Sequence, residues 1–186
     1  MADSQSTPPS ANHRDTRRDI LVKRLASEGL KTLDFFRALH PEDWSRQVYT
    51  AGSGWTVSQI LCLILNAEQG FHHLISDVLL GGPGAPEDLD IDVYNEERIR
   101  AMQCQDMESV LKAFSQARIT TMEIVRRMTP DDFDRVGRHP YLGVTTLEAM
   151  LKLIYRHVML HQRDIRRALD HGQPVDLAES AAGGQA

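Results

Sequence analysis

The sequence predicts an all-α fold, a bundle of four long helices, on three observations. Four stretches of about 22 to 25 residues each carry a single apolar stripe at helical spacing. No stretch shows the period-two alternation of a half-buried strand. The chain has 186 residues, 41% of them hydrophobic, which is enough for one domain with a substantial core.

The first helix is expected from about Asp15 to Leu39, with Ile20, Leu21, Leu25, Leu33, Phe36 and Leu39 on its stripe. The second opens at Thr56-Val57-Ser58-Gln59, where Thr56 and Gln59 can satisfy the free amide groups of a helix start. Its stripe is Ile60, Leu63, Ile64, Ala67, Phe71, Leu74 and Val78, and Gly81-Gly82-Pro83 ends it. Gly81 to Asp92 reads as a long crossover between the second and third long helices, followed by a short helix near Tyr94 to Met102. The third long helix covers about Met107 to Met128. The fourth opens at Thr145-Thr146-Leu147-Glu148, a second capping-box pattern, and ends before Gly172-Gln173-Pro174. Residues 1–13 and 173–186 are too poor in apolar side chains to offset their own ordering, so they are expected as tails flanking a domain at 14–172.

The chain also repeats itself. His40-Pro41-Glu42-Asp43-Trp44-Ser45-Arg46 returns as Thr129-Pro130-Asp131-Asp132-Phe133-Asp134-Arg135, and Gly54-Trp55-Thr56 returns as Gly143-Val144-Thr145. Both pieces match at one offset of 89 residues, which predicts two related helix-loop-helix halves.

Composition narrows the function classes. With 26 acidic against 21 basic residues the formal net charge is −5, so the chain is a poor general binder of phosphate backbones and nucleic acid is not expected as a partner. The longest apolar run, Ile60 to Leu65, falls far short of a membrane span, and Met1 to His13 lacks the apolar segment of a secretory signal. Cys62 and Cys104 form neither a disulfide framework nor a zinc ribbon. A cytoplasmic protein is expected. There is no Walker loop, dinucleotide fingerprint or nucleophile elbow.

His157 and His161 carry the main chemical signal. They stand at i and i+4 on the fourth long helix, so both rings leave one face about one turn apart, the spacing at which two imidazoles can share a metal ion. Hydrogen bonding inside a crowded core would place them there equally well.

The motifs Gly54-Trp55-Thr56-Val57, Arg138-His139-Pro140-Tyr141-Leu142-Gly143 and His157-x-x-x-His161-x-x-Asp164-Ile165, in that order, resemble the DinB-like (YfiT-like) family of metal-binding four-helix bundles. The resemblance spans roughly Asp15 to Asp170. It implies an up-down-down-up bundle with a long crossover, often a homodimer, and a divalent-metal site, usually zinc or nickel, built from three histidines. It also implies a small-molecule or thiol substrate, since characterised members include transferases and isomerases that use a low-molecular-weight thiol. Two of the three ligand positions carry over to His157 and His161. The third falls on Leu63, which has no lone pair to offer. Gln59, Asn66 and Cys62 flank that position, and Glu68 with His72 forms another i, i+4 pair that the 89-residue offset sets opposite His157 and His161. Asp164 could reach the site or pair in solvent with a neighbouring arginine. Three functions stay open: a metal-assisted thiol transferase or isomerase, a small-ligand-binding module that has lost its metal, and a dimerisation module.

Overall fold

The computed structural model describes residues 12–50, 54–102 and 106–176, with side chains from Arg17 onward. Most of the expected N-terminal tail, Cys104 and residues 177–186 lie outside the described residues. Five helices form: α1 (Asn12–Arg37), α2 (Val57–Leu79), α3 (Ile91–Met102), α4 (Met107–Arg127) and α5 (Leu147–His171). Four are the long helices read from the sequence, and α3 is the short one after the crossover. Beside them lies one antiparallel hairpin, β1 (Val136–His139) with β2 (Gly143–Thr146), paired Val136 to Thr146 and His139 to Gly143. Strands of four residues are too short for alternation to register in a sequence, which is why none is expected there.

Side-chain pairs fix the helix directions. Arg17 meets Glu148 near the starts of α1 and α5, and Arg166 lies over Phe35 near their ends, so these two run parallel. Glu68 meets Arg118 and His72 meets Thr121, so α2 and α4 run parallel to each other. Arg37 at the end of α1 pairs with Glu108 at the start of α4, which sets the two couples antiparallel. The order is up-down-down-up, with α1 and α2 on opposite corners, each packed against α4 and α5.

The core divides into two apolar clusters. One holds Phe36, Ile60, Ile64, Val110 and Phe114; the other holds Leu25, Phe71, Ile75, Val125, Phe133 and Met150. Between them lies a polar waist of Glu28, Thr32, Glu68, Arg118 and Thr121, all buried.

The internal repeat is real at its start and slips by one residue at its end. The Asp43 carboxylate accepts the His40 N–H at 3.0 Å, and Asp132 accepts the Thr129 N–H at 2.7 Å, 89 residues on. Thr56 caps α2, with Gln59 returning the bond as expected. The cap of α5, however, is Thr146, which accepts from the Ala149 N–H at 3.3 Å. The expected capping box of Thr145 with Glu148 does not form; Glu148 pairs with Arg17 and Lys152 instead. The cause is the connection between the halves' turns and helices: Arg46 accepts from the Val57 N–H, but Arg135 accepts from the Leu147 N–H, one residue later. The β1–β2 hairpin, with His139-Pro140-Tyr141, is thus one residue longer than its counterpart, the first hairpin closed by the Gln47–Thr56 bridge.

The packed chain also continues past residue 172, the expected domain end. Val175 is buried, donates its N–H to the Val48 carbonyl at 2.7 Å and accepts from the Thr50 N–H at 3.1 Å. Tyr49, itself part of the first hairpin, is thereby held against the segment after α5.

Candidate functional site

A cleft of about 2220 Å³ opens along α2 and α5. Its floor carries Leu63, Ala67 and Phe71 from α2 and Leu153, His157 and His161 from α5, with Tyr49 and the tip of the β hairpin completing it. The histidines face it because they continue the stripe of Leu147, Met150, Leu151, Ile154, Val158 and Ile165.

The two rings meet edge to face at 4.4 Å between centroids, with Nε2 of His157 and Nε2 of His161 2.9 Å apart. Behind His161, its Nδ1 lies 2.7 Å from the Tyr49 hydroxyl, which reaches Asp164 Oδ2 at 3.2 Å. A carboxylate only accepts, so the Tyr49 O–H is assigned to Asp164, and the Tyr49 oxygen accepts the Nδ1–H of His161. Nε2 of His161 is then the lone-pair nitrogen, and it accepts from Nε2–H of His157. Burial pushes His157 down to about 4 and His161 well below its ordinary value, so both rings are neutral at pH 7. Burial and the Asp164 carboxylate together raise the Tyr49 hydroxyl far above its usual range. Asp164 is fully buried, not solvated; Arg163 also donates to it, at 3.1 Å.

Sequence reasoning left out His139 and Tyr49. His139 sits on β1, buried, its ring stacked 5.2 Å from Phe71 at 27°. Its Nδ1 accepts from the backbone N–H groups of Tyr141 at 3.0 Å and Leu142 at 3.2 Å. Burial lowers it to about 4. The signal that could have found it was the His-Pro dipeptide in the hairpin one residue longer than its counterpart.

The remaining sequence candidates are placed elsewhere. Glu68 forms a two-toothed ion pair with Arg118, 2.8 Å on each side, and accepts from Thr121; His72 donates Nε2–H to the Ala117 carbonyl and to Thr121. Both point at α4. The slip from 89 to 90 explains it, since Ala67 and Phe71, not Glu68 and His72, stand equivalent to His157 and His161. Asn66 binds Asn95 and Arg98 and so fastens α3 to α2. Gln59 is spent on the cap of α2, and Cys62 is buried, its thiol pushed up to about 11 by burial.

The donor set does not fit a resident three-ligand metal ion. Two nitrogens on one tetrahedral zinc stand about 3.3 Å apart, close to the 2.9 Å found here. Leu63 lines the same cleft without a lone pair to offer, however, and no group of three His, Cys, Asp or Glu side chains converges among the described residues.

Fold and site together define a four-helix bundle of up-down-down-up order with a histidine pair in an inter-helix cleft. The model of the DinB superfamily matches residues 31–165, and the chain belongs to that superfamily. No curated protein matches this sequence. Among solved structures it is similar to YfiT from Bacillus subtilis, described as a probable metal-dependent hydrolase with an unusual four-helix bundle topology (TM-score 0.66, 18% identity, 93% of this chain and 94% of that one). It is similar to a mycothiol-dependent maleylpyruvate isomerase (TM-score 0.62, 12% identity, 82% of this chain), of which it spans only 60%. It is also similar to the colibactin self-resistance protein ClbS in complex with a dsDNA (TM-score 0.62, 12% identity, 81% of this chain and 93% of that one). At these identities the likeness is one of fold. No described helix is long and apolar enough to cross a membrane.

Proposed function

We propose that the cleft between α2 and α5 takes a small molecule, and that its histidine pair works there as neutral hydrogen-bonding groups without a resident metal ion. The observation that carries this reading is Leu63 on the cleft floor, where the family resemblance calls for the third histidine. Two imidazoles seldom hold zinc, because protein sites use three or four ligands. The line Asp164, Tyr49, His161, His157 fixes both rings at the cleft and leaves Nδ1 of His157, a lone-pair nitrogen, as the one ring nitrogen outside it, an acceptor for a polar ligand. A net charge of −5 favours a small molecule over nucleic acid. A homodimer belongs to the same reading, and sedimentation of the purified chain tests it.

The 2.9 Å separation of the two Nε2 atoms favours a second reading, a zinc- or nickel-dependent thiol transferase or isomerase. Thermal melts with and without added zinc separate the two. We expect little zinc response in the wild type. Leu63→His should cost about 1–3 kcal/mol in the absence of metal, from lost packing and a ring nitrogen that must be satisfied. Zinc should then recover that loss by binding only the folded state. A strong wild-type response abolished by His157→Ala would establish the second reading.

A further inference from the structure

We propose that His139 presents a fixed Nε2–H donor to an oxygen acceptor, a carbonyl or a carboxylate, on the small molecule that the cleft takes. The inference rests on the reading of the cleft as a small-molecule site. A neutral imidazole carries one proton, and the nitrogen that accepts hydrogen bonds cannot hold it. Nδ1 accepts two backbone N–H groups, from Tyr141 and Leu142, so the proton sits on Nε2. Turning the ring by 180° would keep its stacking on Phe71 but lose both bonds. Nε2 has no hydrogen-bond partner among the described residues, although the residue is only 9% exposed and lines the cleft with His157. Gln162 Nε2 is the only buried side-chain nitrogen or oxygen left unpartnered among the described residues, so Nε2 of His139 is open to the cleft, an oriented donor at which a ligand oxygen can replace water. Phe71, Leu142 and Leu153 around it offer an apolar body its place, and Arg156 on the same cleft would add attraction for a carboxylate.

The test uses the whole protein labelled with nitrogen-15 in its histidines, with benzoate and acetophenone as probes, one charged and one neutral. The free protein should show His139 protonated on Nε2 alone, and either probe should move that signal. Finding the proton on Nδ1 overturns the proposal. So does movement of His157 and His161 with His139 unmoved, which leaves the cleft reading standing. If none of the three rings responds to either probe, both fall. His139→Asn separates anchoring from donation, because its amide oxygen can take the place of Nδ1 while nothing occupies Nε2. That variant should keep the wild-type melting temperature and bind the probes about tenfold more weakly. Unchanged affinity means that His139 only anchors the hairpin, and the proposal fails. Should the Asn variant not fold, the spectra of the wild type decide alone.

Discussion

Two histidine-bearing polar clusters lie in this bundle, and they differ in whether they close. At the waist, Arg118 spends Nε and both terminal nitrogens on Glu68 and the Leu25 carbonyl, its plane over Phe114. Thr121 and His72 close the remaining bonds, and none of Glu68, His72, Arg118 and Thr121 lines the cleft; of the waist only Glu28 reaches it. In the cleft, the line from Asp164 through Tyr49 to His161 is as well bonded at its inner end, but at its outer end it gives out on an open surface beside His139. Residue types alone do not separate the two. A carboxylate with a histidine about one turn away is present in both, Glu68 with His72 and Asp164 with His161, and only the direction of each helix face tells structure from site.

Breaking the waist should have the largest effect. Arg118→Ala strands the Glu68 carboxylate in a dry interior and should cost about 3–5 kcal/mol in denaturant unfolding. The cleft should keep its probe affinity as long as the protein is folded. If probe binding fell in step with stability, the two clusters would be one unit.

Acid should sharpen the contrast. His139 has its folded pKa at about 4, below the unfolded value near 6.5. Between those values the unfolded chain holds more protons than the native one, so stability is full above pH 6.5 and falls as the pH drops through 4. His139 alone contributes about 3 kcal/mol to that loss. His157 and His161 in the cleft and His72 at the waist shift in the same direction, by burial. In His139→Asn the acid loss between pH 6.5 and 4 should shrink, and an unchanged slope in pH-dependent unfolding would remove His139 from the account.

Tyr49→Phe comes next. It leaves Nδ1 of His161 and one Asp164 oxygen without their shared partner and should cost about 1–3 kcal/mol. Histidine nitrogen spectra should show His161 no longer held in one tautomer, with His72 unaffected. The smallest effect is at the α5 cap: Thr146→Ala should cost about 1 kcal/mol and Thr145→Ala much less, in paired melts. The reverse order would restore the 89-residue register.

The helices were legible because each buries one stripe, and the sequence pairs Thr56 with Gln59 where α2 begins. The pair His157 and His161 was legible for the same reason, spacing within one helix. The rest of the site was not, since it depends on facts between elements. Asp164 reads as a surface residue beside Arg163 until Tyr49, 115 residues away, is known to lie over it. His139 gains its role from a hairpin whose strands are too short to signal themselves. Arg118 sits within the α4 stripe, yet nothing local marks it as the partner of Glu68.

The strap that joins Val175 to the first hairpin has a consequence for how the protein is made. Thr50 and Val175 are 125 residues apart, and Tyr49 and His161 are 112 apart. Contacts of that separation form late, because a long loop must close before they reward it. A chain growing from the ribosome can assemble α1, α2 and the waist with α4 while α5 is still being synthesised. Tyr49 then waits with no partner for its hydroxyl, and the orientation of the His161 ring is decided only in the last step of folding.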